Sequence, residues 1–101
     1  MPKYKRYSYV VYQEQLNSKH QKVAHAILGV EFNPRKANEV VDTMLVDDRR
    51  LDPQLKVLTD MSYPPCGDFQ GETLRVVSIE YSSGAYSVTR LGRWYVWVGK
   101  E

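Results

Sequence analysis

The chain holds a single cysteine, Cys66, so neither an intramolecular disulfide nor a multi-cysteine zinc site is available to it. A reducing compartment is the simplest reading. No apolar run approaches the roughly 20 residues of a membrane span. The short apolar run after the basic start is interrupted by Ser8 and Tyr12, so it does not read as a signal peptide. The expected location is therefore the cytoplasm, with no membrane partner. The glycines occur singly and never as G-x-G-x-x-G or a Walker-type run, which removes the known phosphate-cradling loops. Charge of one sign is also scarce. A formal net charge of +2 is too weak a field to point by itself to nucleic acid.

What the chain has in plenty is aromatic residues: eight tyrosines and two tryptophans, types that favour both strands and binding surfaces. With 43% hydrophobic and 26% charged residues, and no long like-charge block, the composition is that of a folded domain rather than a disordered chain. Residues 1–101 read as a single domain, able to bury about 60 to 65 per cent of its unfolded surface.

Residues 3–14 (KYKRYSYVVYQE) predict a strand, with Tyr7, Tyr9 and Val11 on one face and Arg6, Ser8, Val10 and Tyr12 on the other. Apolar residues on both sides imply cover on both. Residues 18–29 carry two signals. Ser18 to Gln21 fits a capping box ahead of a helical stripe ending at Gly29, whereas Val23 to Phe32 is rich in β-branched residues. The strand reading, giving an N-terminal hairpin, is preferred. Asn33-Pro34 then opens an amphipathic helix over 34–48, with Ala37, Val40, Val41, Met44 and Leu45 on its apolar stripe. Its charges oppose the macrodipole, with Arg35 and Lys36 at the start and Asp47 and Asp48 near the end. After Pro53, Leu55, Val57, Leu58 and Met61 suggest a short helix, and residues 62–71, with two prolines and two glycines, an irregular loop.

The last thirty residues, 72–101, predict a three-stranded meander. A two-residue turn at Ser83-Gly84 sets Tyr81 opposite Tyr86, and a three-residue loop Arg90-Leu91-Gly92 returns the chain with Val88 opposite Trp94. This register places Val77, Ile79, Tyr81, Tyr86, Val88, Trp94, Val96 and Val98 on the core face. Ser87, Thr89, Arg93, Tyr95 and Trp97 take the other. The expected fold is thus α+β: a mainly antiparallel sheet, made of an N-terminal hairpin and a C-terminal three-stranded meander, with one amphipathic helix packed on one face.

Arg93, Tyr95 and Trp97 form the leading candidate binding site, because aromatics and arginine dominate binding hot spots. They suit a protein partner or a second copy in a homodimer. An alternative is single-stranded nucleic acid or a nucleotide held by Tyr4, Arg6, Tyr7, Arg35 and Lys36, combining the basic and tyrosine-rich first strand with the helix 34–48 N-terminus. Lys3 and Lys5 would add to it, although lysines on an edge strand also discourage unwanted pairing. Cys66 with His20 or His25 is conceivable as a thiol centre, but no signature surrounds it, and its thiol is expected to titrate near the ordinary value of about 8.5. Asp47, Asp48 and Asp68 lack the spacing of a cation loop. The expectation is a small non-enzymatic protein acting by macromolecular contact, with no catalytic residue, metal or cofactor.

Overall fold

A computed structural model describes residues 2–99. Its elements are β1 (Tyr4–Leu16), β2 (Lys22–Glu31), α1 (Pro34–Leu51), β3 (Lys56–Ser62), β4 (Glu72–Glu80) and β5 (Tyr86–Val98). The strands form one antiparallel sheet in the order β2-β1-β5-β4-β3. The α+β class expected from sequence is what the chain adopts.

The first half follows its local signals. β1 and β2 make the N-terminal hairpin, closed at residues 17–21, where the Asn17 side chain accepts from the Lys19 and Gln21 amides. Asn33 caps α1 by accepting from the Arg35 N–H at 2.8 Å, with Pro34 at the first helical position. Two acidic residues at the helix end, Asp48 and the C-cap Asp52, have hydrogen-bond donors of their own. Asp48 Oδ2 accepts from the Tyr81 hydroxyl at 2.7 Å, and Asp52 Oδ2 accepts from the Ser82 N–H at 2.8 Å.

The second half departs from expectation at three places. Residues 56–62 are a strand and not a short helix, because β4 offers them an open edge to pair with. The turn before β5 spans residues 82–84 rather than Ser83-Gly84 alone. Tyr81 N–H donates to Ala85 O, Glu80 faces Tyr86, and Gly84 takes the left-handed conformation at φ +90°. Lastly, there is no turn at Arg90-Leu91-Gly92. β5 runs straight through it, pairing residue for residue with all of β1 from Tyr4–Val98 to Leu16–Tyr86. A turn there would have left residues 4–8 of β1, which β2 does not reach, without a hydrogen-bonding partner. The meander therefore consists of β3, β4 and β5. Lys100 and Glu101, the end of the expected third strand, lie outside the described residues.

The one-residue difference at the β4–β5 turn inverts every side chain of β5 relative to β4. The buried cluster contains Val11, Ala37, Val41, Leu55, Val77, Ile79 and Leu91. Ser87 and Thr89, expected on the opposite face, are fully buried beside it, while Tyr86, Val88, Trp94, Val96 and Val98 leave the core face for the other side of the sheet. Trp94 and Trp97 are 43% and 52% exposed, so neither is a core residue. The buried polar groups are all partnered among the described residues: Gln13 Nε2 donates to Thr89 Oγ1 at 3.0 Å, and Tyr81 Oη lies 3.0 Å from Ser87 Oγ. Burial pushes the Tyr81 phenol up to about 12. Arg75 on β4 joins three elements, with a fork onto both Asp60 oxygens of β3 at 2.9 Å and a third bond to Asp42 of α1 at 2.9 Å.

Candidate functional site

β1 meets β2 only from Tyr9 inward, and β5 meets β4 only up to Arg93. Residues 4–8 and 94–98 thus continue beyond the sheet as a two-stranded arm. Two strands alone are marginally stable in water, and side chains on this arm hold it in place.

On the face shared with α1, cations and rings alternate. The Arg93 guanidinium sits 4.6 Å from the Tyr7 ring centre, and the Lys5 ammonium lies 4.7 Å from that of Tyr95 and 5.2 Å from that of Trp97. Lys3 stands 5.3 Å from the Trp97 ring. Tyr95 meets Tyr7 and Trp97 edge to face, with centroids 6.0 and 6.2 Å away. The structure therefore brings Arg93, Tyr95 and Trp97 together as expected, with Tyr7 and Lys5 added. They share a face with Ser87 and Thr89, as the sequence register predicts, but that face is the one that carries the buried core, and the three lie past the core on it.

The loop of residues 63–71 straps this cluster from the side. The Gln70 side chain replaces a missing strand: its amide nitrogen donates to Tyr95 O at 2.7 Å and its oxygen accepts from Tyr95 N–H at 3.0 Å. The Tyr95 hydroxyl donates to Asp68 O at 3.1 Å, and the Asp68 carboxylate pairs with Lys5. Glu72 pairs with Arg93 at 2.7 Å and accepts from the Cys66 N–H, which, ahead of the arginine, holds its carboxyl below the usual range. Asp68 in turn raises the Lys5 ammonium. The Cys66 thiol is exposed, and the Glu72 carboxylate pushes its pKa up, so it does not titrate at its ordinary value as the sequence suggested.

The residues of the nucleic-acid alternative are distributed differently. Tyr4 and Arg6 alternate with Tyr7 along β1 and so lie on the opposite face of the arm, with Arg6 stacked 5.0 Å from the Phe32 ring centre. Arg35 pairs with Glu39 at 3.6 Å, and Lys36 borders a shallow hollow with Glu31 and Glu39. His20 stacks on Tyr86 at 4.4 Å, away from Cys66 in its interactions. Among the described residues no group of three or more His, Cys, Asp or Glu is placed to hold a metal ion, and no helix is long and apolar enough to cross a membrane.

The sequence reading missed the other face of the sheet. Trp94, assigned to the core, lies there across two glycines: a Cβ at Gly92 would stand 3.4 Å from Trp94 Nε1, and one at Gly71 would stand 2.9 Å from Cζ2. The two glycines flanking this tryptophan in space are the signal that was available, but only Gly92 is near it in sequence. Protein-family models, curated proteins and solved structures contain no match to this chain.

Proposed function

We propose that this is a non-enzymatic binding protein that acts by contact with another protein through the α1 side of the β1–β5 arm, with Trp97 as anchor. The supporting observation is the state of the cluster. Trp97 is half exposed at the end of a row of interlocked cations and rings, while Lys5 and Arg93 are already paired with Asp68 and Glu72. Cations held this way add little to phosphate binding, which depends on neutralising backbone charge. A half-exposed tryptophan packed on a tyrosine, with an arginine further along the same row, is instead the composition of a protein hot spot.

The test is retention of proteins from host lysate on the immobilised chain after nuclease treatment, compared with Trp97→Ala. Partners should be lost with the tryptophan, at a cost of about 2 kcal/mol or more of binding, and should change little with salt. Retention of nucleic acid that elutes steeply with salt would replace this reading by the alternative one.

A further inference from the structure

Among the described residues no helix or second sheet covers the side of the sheet opposite α1. Register places Val10, Tyr12, Ile27, Val30, Trp94 and Val96 on it as neighbours across β2, β1 and β5. Ile27, Val30 and Val96 are 67%, 52% and 61% exposed. Val10, Tyr12, Ile27 and Trp94, with His25 at the edge, line an open hollow of about 410 Å³. The patch itself is uncharged. On the same face Arg6, the cross-strand partner of Val96, is stacked on Phe32 and keeps its charge, while Glu14 and Arg90 neutralise each other at 3.3 Å.

The surface of the whole chain, to which this face contributes, is large for its mass. The chain exposes 6801 Å², about 900 Å² more than the roughly 5,900 Å² usual for a folded monomer of its 11.7 kDa. Its radius of gyration is 15.7 Å, where about 12.7 Å is usual for this length, and the β1–β5 arm contributes to that extension. One partner's share of a standard protein interface is about 800 Å². We infer that this face is the contact surface between two copies of the chain, related by a two-fold axis and packed sheet on sheet around Trp94 and Ile27.

Three properties single out a second copy. A two-fold interface sets the patch against itself, and an apolar centre with charge only towards its borders keeps like-charge repulsion out of its middle. A large apolar face needs cover whenever the chain is folded, and another copy is present whenever the chain is. Trp94 already packs closely over Gly92 and against Gly71, which limits the side-chain freedom it has to lose on entering an interface. The surface is separate from the Trp97 face, so either assignment can fail without the other.

Sedimentation equilibrium of the full chain, nuclease-treated, tests the inference between roughly 1 and 100 µM, since the weak end of affinities for interfaces of this size is micromolar. The wild type should sediment at twice 11.7 kDa. Ile27→Lys sets like charges against each other across the two-fold axis and should sediment at 11.7 kDa with an unchanged far-UV spectrum. Val96→Lys repeats the test should Ile27→Lys not fold. Trp97→Ala should remain dimeric. A wild type that stays at 11.7 kDa throughout, a dimer that survives both lysine substitutions, or one that Trp97→Ala dissociates would each overturn it.

Discussion

Gly71 and Trp94 are in contact across the join between the 63–71 loop and β5: a Cβ on Gly71 would stand 2.9 Å from Cζ2 of the indole, and Gly71 itself holds φ +70°. The loop can reach the sheet, and its Gln70 can bond the Tyr95 backbone, because the residue between them has no side chain.

Replacing Gly71 by alanine should therefore strain the backbone and displace the indole together. The left-handed conformation alone costs about 1 to 2 kcal/mol for a residue with a Cβ. A denaturant titration should show a loss of at least that size. In a Trp97→Phe background the emission of Trp94 should shift as well, and an unchanged spectrum would mean the loop does not hold the ring.

Arg75→Met should destabilise by about 2 kcal/mol, since it removes charge-assisted bonds to β3 and α1 and leaves Asp60 and Asp42 without them. The Arg75 side chain, ahead of any other influence, holds the Asp60 carboxyl below its ordinary 3.8. A depressed carboxyl contributes stability above that ordinary value and loses it as pH falls through the lower folded one. Stability of the wild type measured against pH should fall in acid over this window, and the substituted protein should lack that part of the slope.

Tyr81→Phe removes the hydroxyl between Asp48 and the fully buried Ser87 and should cost about 1 to 2 kcal/mol. In the wild type the phenol is raised from 10.0 to about 12, chiefly by burial. A group that keeps its proton longer when folded stabilises below its unfolded pKa, and that contribution fades as pH rises from 10.0 towards 12. Thermal unfolding followed from pH 10.0 to about 12 should show the decline, and Tyr81→Phe should show less of it.

The Cys66 thiol should alkylate slowly at neutral pH, because the neighbouring Glu72 carboxylate opposes its ionisation. Glu72→Gln should speed iodoacetamide labelling, with thiolate fraction rising roughly tenfold for each unit the thiol pKa falls. Equal rates in the two proteins would show that the carboxylate does not govern the thiol.

Much of this architecture is legible in local sequence. Asn33-Pro34 and the stripe from Ala37 to Leu45 mark α1 through capping and periodicity, and the alternation in 3–14 marks β1 and its two faces. The grouping of Arg93, Tyr95 and Trp97 follows from their spacing of two along any strand. None of these depends on a distant residue.

Tertiary structure decided which face is buried, and where β5 ends. In YSVTRLGRWYVWV both alternating sets contain large apolar residues, so period two cannot choose between them. The choice comes from α1 settling over Ser87, Thr89 and Leu91, with Gln13, 76 residues away in sequence, reaching Thr89. Leu91-Gly92 has the local chemistry of a turn, yet thirteen consecutive pairings with β1 leave no place for one. Local preferences of about 1 kcal/mol yield to that number of hydrogen bonds, each of which would otherwise have to be satisfied elsewhere. The position of Trp94 was settled the same way: once β5 runs straight, its indole has only the open face of the sheet to lie on.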